Sequence, residues 1–370
     1  MAKILIHMGP PKAGSTQIQR FFSHNRGGLR EHSIDYLPCR PKPQIRAFYQ
    51  ERANRILSNL EAPKGLRPWF EDCPSSFFLS PTTDNDVIIS EEALYRLAAD
   101  RDDIAEFDAF LARAYSERQY LTVLREIIGH SISNISQSIF GMWHFDYRTG
   151  LQILKKFSLD KQFAGMLGSE FDLRVRTFSG FVSGREATQN IAALLEDYFK
   201  VPQITLQSDD VRANASLGAE GTAVFLALSN TFRALAGGEK LRRVRVGARP
   251  LFRNFRAELA ERLPKQQAFC PFTPSEQVKF GKKHRANSKV FMEHYPGSWM
   301  EEVFSPVPRE KKIVLMHELE EADRQAALDL LEHTLHKVMN KPVLRELAVS
   351  AADIRDVLAH FMENEASLVL

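Results

Sequence analysis

The first candidate for chemistry is a loop rich in glycine and proline near the amino terminus, where residues 9–16 read GPPKAGST. It follows a short apolar run and precedes a stretch of helical spacing, a context in which backbone amides can bind phosphate. The glycine spacing is that of the nucleotide-binding motif GxxxxGK[ST], but Ser15 stands where that motif has its lysine, and Lys12 lies inside the loop. This displacement predicts that Lys12 meets an oxygen beside the first phosphate, whereas the motif's lysine reaches terminal phosphates.

The segment IHMGPPKAGSTQIQ resembles the 5′-phosphosulfate loop of bacterial-type sulfotransferases that use 3′-phosphoadenosine 5′-phosphosulfate (PAPS), whose usual form is PK[TAS]GT[TS]. This chain departs from that form at Ser15, where threonine is commoner, and keeps the hydroxyl. The resemblance implies a catalytic contact from Lys12 to the bridging oxygen of the donor. It implies a cofactor-binding loop formed by Lys12, Ala13, Gly14, Ser15, Thr16 and Gln17. Because a sulfuryl group in transfer carries less charge than a terminal phosphoryl group, no metal is expected.

A second motif lies in YLTVLREIIGHSISNIS, where Arg125 ends an apolar run and Ser133 follows eight residues later on a predicted helix. The resemblance implies that these two residues bind the 3′-phosphate of the donor. An arginine suits a bidentate phosphate contact, and a hydroxyl near a helix start adds a donor. The chain departs from the family at Glu126 and Ile127, where Asp or Asn followed by proline is usual. We therefore expect a differently shaped turn between strand and helix.

Transfer to a hydroxyl is helped by a general base, and two acids follow the apolar run DVIIS. Glu92 aligns with a glutamate of the family and is the predicted catalytic base, with Glu91 beside it as an alternative. Both acids could equally decorate a helix amino terminus capped by Ser90, which is favourable electrostatics without catalysis. His24, two turns beyond the loop on the next helix, is a further candidate.

These residues lie in separate segments, so a scaffold must bring them to one edge of a sheet. The hydrophobic pattern predicts such a scaffold. Apolar runs alternate with stretches of helical spacing, which indicates an α/β fold with a parallel sheet flanked by helices and a P-loop-like phosphate cradle. The predicted strands are 3–8, 34–37, 86–90, 120–125 and 171–178, and the predicted helices include 15–29, 104–117 and 187–199. From about residue 205 the pattern is mainly helical. We predict a sulfotransferase-like domain over 1–300 and a helical extension over 301–370.

Composition excludes several classes of protein. In 370 residues, 49 Lys and Arg balance 46 Asp and Glu, so the total implies no nucleic-acid partner. The charge is nevertheless segregated: residues 239–265 hold nine basic and three acidic residues, while 301–370 hold eight basic and fourteen acidic ones.

The cysteines are few, odd in number and widely spaced, at positions 39, 73 and 270. With no apolar run of the ~18 residues that span a bilayer and no signal-peptide pattern, we expect a cytoplasmic protein.

Taken together, the residues and the resemblance predict a PAPS-dependent sulfotransferase. It would move a sulfuryl group to a small-molecule or glycan acceptor with a free hydroxyl, with carbohydrates and glycolipids as candidate classes, and release 3′-phosphoadenosine 5′-phosphate (PAP). Two alternatives remain open. One is a P-loop nucleotide kinase-like phosphotransferase, which the serine at position 15 disfavours. The other is a nucleotide-binding protein without catalytic activity.

Overall fold

The computed structural model of the chain describes the segments from residue 2 to residue 339 with gaps, and four isolated positions beyond. The described residues are 2–10, 12–38, 85–90, 92–140, 157–168, 171–182, 186–207, 217–236, 252, 254–263, 267–305, 307–339, 356, 359, 360 and 364. Glu91, Cys39 and Cys73 lie outside them, as do residues 39–84 and much of both charged segments. The side chain of Glu92 lies outside them as well.

Five strands form one sheet in the order β2-β3-β1-β4-β5, and every neighbouring pair is parallel. The strands are β1 (Ala2–His7), β2 (Ile34–Pro38), β3 (Asp86–Ser90), β4 (Tyr115–Leu124) and β5 (Asp172–Thr177). The α/β class predicted from the alternating pattern is thereby confirmed.

Helices lie between several of the strands and continue beyond the last one. They are α1 (Ser15–His24), α2 (Arg26–Glu31), α3 (Arg101–Leu111), α4 (Ile127–Phe140), α5 (Leu159–Gln162), α6 (Phe178–Phe181), α7 (Ala187–Phe199), α8 (Ala219–Ala236), α9 (Pro274–Ala286), α10 (Lys289–His294), α11 (Trp299–Phe304) and α12 (Glu321–Met339). Two 3₁₀ helices cover Glu92–Ala99 and Met316–Glu318, and residues 254–262 are also helical.

The sheet is buried on both faces, as its apolar strands require. Along β1, Ile4 and Ile6 belong to one core cluster, with α3 and α11, while Leu5 belongs to another, with α1 and α7. Successive side chains of a strand point to opposite faces, so one continuous apolar run serves two cores.

Two predicted boundaries are wrong, and both corrections come from contacts distant in sequence. The predicted helix 15–29 breaks at Asn25, whose side-chain oxygen accepts from the amide of Gln207 at 2.7 Å and whose amide group donates to the carbonyl of Phe21. The predicted helix 104–117 ends at Leu111, and β4 begins at Tyr115 because this end pairs with Ala2 of β1.

By its contacts the chain forms two compact units, each made of three stretches. The first comprises 1–130, 157–214 and 281–306 and contains the whole sheet; the second comprises 131–156, 215–280 and 307–370. The domain boundary predicted near residue 300 stays a prediction. No helix among the described residues is long and apolar enough to cross a membrane.

Candidate functional site

The loop after β1 lies where the connections of the sheet change direction. From β1 the chain runs to β2 and β3 on one side, and from β3 it crosses to β4 and β5 on the other. In open parallel sheets, ligands bind in the crevice at the carboxyl ends of the strands at such a point. The amide of Met8 donates to the carbonyl of Leu121 at 2.8 Å, so the loop starts from a position held by β4.

Two residues of this loop have backbone conformations that turn the chain sharply into α1. Lys12 has φ 71° and Gly14 has φ 89°, both in the left-handed region. Gly14 is the residue before α1, and its carbonyl accepts from the amides of Gln17 and Ile18. Helix geometry leaves the amides of Ser15 and Thr16 without an intrahelical acceptor. They are available to an anion that binds at the amino-terminal end of the helix.

Ser15 carries a buried polar group that fits such an anion. Its side chain is 3% exposed, and its hydroxyl has no hydrogen-bond partner among the residues that the structure describes. A buried hydroxyl without a partner costs on the order of 1–3 kcal/mol, which a bound phosphate oxygen would offset. Nearby, Ala13 is buried, Thr16 is exposed, and Lys12 and Gln17 are half-buried.

Phe178, the first residue after β5, joins the loop to the second motif. A Cβ atom added to Gly14 would lie 2.9 Å from Cε2 of Phe178 and 2.7 Å from Cγ1 of Val182. The guanidinium carbon of Arg125 lies 4.8 Å from the centre of the Phe178 ring. One aromatic ring therefore packs against Gly14 and stacks on Arg125, the residue that follows β4.

The charges of the two motifs also converge on one buried imidazole. Burial lowers the pKa of His130 to about 4, and the positive charges of Arg125, His284 and Lys12 act in the same direction. Lys12 and Arg125 are therefore close to the same side chain although 113 positions separate them in sequence. The imidazole of His130 is neutral at pH 7.

The turn into α4 contains Glu126, one of the two positions at which the sequence departs from the family's usual form. The carboxylate of Glu126 accepts from the amide of Ile128 at 2.6 Å and from that of Gly129 at 2.8 Å, so it caps the helix. Ser133 lies further along α4, half-buried, in the part of the helix that belongs to the second unit.

A buried histidine and serine end the two neighbouring strands β1 and β3. His7 Nδ1 and Ser90 Oγ are 2.7 Å apart, and Gln19 of α1 donates to the carbonyl of Ser90 at 3.0 Å. Burial lowers the pKa of His7 to about 4. A neutral imidazole hydrogen-bonded to a serine holds the strand ends beside the loop.

Two of the candidate bases, Glu92 and His24, lie in different parts of the fold. The 3₁₀ helix that follows β3 begins at Glu92, so the backbone of Glu92 lies at the carboxyl edge of the sheet. His24 ends α1 about 14 Å from its first residue, and its Nε2 lies 3.1 Å from the side-chain oxygen of Gln207. His24 therefore belongs to the far end of the helix.

Two cavities open beside the end of β5, with volumes of about 360 and 420 Å³. Arg176 and Thr177 line both of them, and the larger one is also lined by Tyr295 and Trp299. Since Thr177 directly precedes Phe178, these cavities lie one residue from the ring that contacts Gly14 and Arg125. They offer room for a second substrate near the loop.

Two residues of this site were missed by sequence reasoning. The apolar pattern predicts a strand that includes Phe178, and the place of its ring next to Gly14 depends on packing between β5 and the loop. Glu126 stands out in the sequence only as a departure from the family's form. An acidic residue immediately before a predicted helix start is the available signal for its capping role.

Neither a protein-family model nor a curated protein nor a solved structure matches the chain. Among the described residues, no group of three or more His, Cys, Asp and Glu side chains is arranged to hold a metal ion. The fold and the site define an α/β protein with cationic and amide groups gathered at the carboxyl edge of a parallel sheet. The two motifs remain the basis for any family resemblance.

Replacing Gly14 with alanine is expected to lower the free energy of unfolding by about 2–4 kcal/mol, because the left-handed φ penalises a side chain and the new methyl group meets Val182 and Phe178. Urea unfolding measures the change. Gly27→Ala is the matched control: an added Cβ there meets nothing within 4 Å, and alanine favours the helix. Equal unfolding midpoints for Gly14→Ala and the native protein would contradict this account of the loop.

Proposed function

We propose that the chain is a PAPS-dependent sulfotransferase. One observation carries the proposal: the loop that contains Lys12 and Gly14 lies beside Arg125 at one edge of the sheet. The Phe178 ring contacts both Gly14 and Arg125, and the charges of Lys12 and Arg125 both lower the pKa of His130. The proposed donor has two phosphate-bearing positions on one nucleotide, and it requires two cationic sites at a fixed separation. The buried hydroxyl of Ser15 and the amides at the start of α1 suit its 5′ end.

When bound, the donor supplies a sulfuryl group attached through a bridging oxygen to its 5′-phosphate. In the proposed mechanism Lys12 places its ammonium beside that oxygen and offsets the negative charge that develops on the departing phosphate. The amides of Ser15 and Thr16 donate to phosphate oxygens, and Arg125 binds the 3′-phosphate. The loop and the start of α1 hold Lys12 and these amides in place before the donor binds, so little reorganisation of them is needed during transfer.

The acceptor contributes a hydroxyl oxygen, which forms the new bond to sulfur as the bond from sulfur to the bridging oxygen breaks. The hydroxyl proton passes to a base, for which we propose Glu92, since its backbone begins at the carboxyl end of β3. We propose that the acceptor binds in the cavities lined by Arg176 and Thr177.

Calorimetric titration with PAP tests the donor site. We expect the native protein to bind PAP, and Arg125→Ala to weaken binding by about 30- to 150-fold, the equivalent of a charged phosphate contact of about 2–3 kcal/mol. Arg113→Ala is the control, because Arg113 is exposed before β4, at the opposite edge of the sheet.

Three outcomes would contradict the proposal. If ATP with Mg²⁺ binds and PAP does not, the site is that of a kinase-like phosphotransferase. If PAP binds but no sulfuryl transfer follows in a broad screen of hydroxyl acceptors, a nucleotide-binding protein without catalysis is favoured. Equal loss of PAP binding in Arg125→Ala and Arg113→Ala would remove Arg125 from the site.

A further inference from the structure

Glu126 places a negative charge directly beside Arg125. A Cβ atom added to Gly129 would lie 3.0 Å from Oε2 of Glu126 and 3.2 Å from Nε of Arg125. The carboxylate and the guanidinium therefore flank the same point at the start of α4. Arg125, His284 and Lys12 act on the neighbouring His130, whose imidazole is neutral at pH 7, as its pKa of about 4 requires.

The same carboxylate occupies donors that an anion would otherwise use. Both of its oxygens accept from amides of the first turn of α4, at 2.6 Å from Ile128 and 2.8 Å from Gly129. Amides at a helix start and the helix dipole attract phosphate when they are unoccupied. Here the amides of Ile128 and Gly129 are occupied by Glu126, so a phosphate beside Arg125 gains the guanidinium but not these two donors.

We propose that Glu126 is a specificity-determining residue that lowers the affinity of the Arg125 site for a phosphate dianion. The inference rests on the proposed function, in which that dianion is the 3′-phosphate of an adenine nucleotide. Glu126 thereby sets the ratio between the affinity for nucleotides with a 3′-phosphate and the affinity for those without one. A charge within a few ångströms of a partly buried phosphate shifts its affinity by an order of magnitude or more.

The test compares PAP with AMP, which lacks the 3′-phosphate, in calorimetric titrations of Glu126→Gln. Glutamine has the same shape, keeps an oxygen that accepts from a helix amide, and removes the charge. We expect PAP to bind about 10-fold more tightly and AMP to change by less than about twofold. Glu126→Asp keeps the charge and remains a good helix cap, so its ratio of PAP to AMP affinity should match that of the native protein.

A purely structural role for Glu126 would lower stability and leave the ratio unchanged, and that result would overturn the inference. So would an equal gain for both nucleotides, or the same gain in Glu117→Gln, where an exposed acid near the start of β4 loses its charge. PAP binding in the native protein with no change in Glu126→Gln would overturn this inference alone. If the native protein does not bind PAP, the proposed function fails, and the inference, which rests on it, fails with it.

Discussion

Replacing Lys12 with alanine is expected to lower the rate of sulfuryl transfer by about 100- to 1,000-fold, the usual cost of removing one preorganised donor from a developing charge. The proposed role of Lys12 concerns charge that appears as the bond to the bridging oxygen breaks. The loss should therefore fall mainly on kcat, with a smaller effect on the affinity for PAP. Steady-state kinetics with PAPS and a hydroxyl acceptor, together with PAP titrations, separate the two quantities.

The backbone of the loop makes alanine a suitable replacement. Lys12 has φ 71°, and alanine and lysine both carry a Cβ, so the conformational penalty of this position is the same for both. Lys289→Ala is the matched control, because Lys289 is an exposed lysine on α10 that pairs with Glu293 at 3.7 Å. Unchanged kcat in Lys12→Ala, or an equal loss in Lys289→Ala, would remove Lys12 from the reaction.

Acid is expected to destabilise the protein well above the pH at which carboxylates titrate. His7 and His130 have pKa values lowered to about 4, chiefly by burial, whereas an unfolded histidine titrates near 6.5. Between pH 6.5 and 4 the unfolded chain takes up protons that these two folded residues do not, so stability falls as the pH falls. From pH 7 to pH 5 the two residues together lower the free energy of unfolding by about 4 kcal/mol. The pKa of His284 is also lowered, mainly by burial, so it acts in the same direction.

Urea unfolding at several values between pH 5 and pH 8 measures this slope. His7→Gln and His130→Gln should each remove about half of the pH dependence of the unfolding free energy that these two histidines contribute. This holds whatever the substitutions do to stability at pH 7. Thr122→Val is the control, because Thr122 is buried on β4 and uncharged and its replacement shifts stability equally at every pH. A slope that neither histidine variant reduces would show that other groups govern the acid sensitivity.

Several features of this protein could be predicted from sequence because they depend on residues close together in the chain. The loop from Gly9 to Thr16 is identified by its glycine and proline spacing, and DVIIS and TVL are apolar runs too short to be anything but buried strands or helix pieces. Their alternation with helical spacing indicates the parallel α/β class. The two motifs that carry the proposed donor site, which contain Lys12 and Arg125, are also local patterns.

What the sequence could not determine depends on which segments meet. The strand order places β1 between β3 and β4, and that order arises from packing of both sheet faces at once. The early start of β4 at Tyr115 needs Ala2 as its partner, and the break at Asn25 needs Gln207, 182 positions away.

The candidate site shows the same division. By itself the sequence determined the glycine and proline pattern of the loop from Gly9 to Thr16 and the position of Arg125 after an apolar run. Both are patterns of residues close together in the chain. Only the tertiary structure decided that the ring of Phe178 lies against Gly14 and Arg125 and that the charges of both motifs act on His130. Contacts of this kind join segments that are distant along the chain, and no local sequence pattern marks them. They depend on the packing free energy of the whole core rather than on local backbone preference.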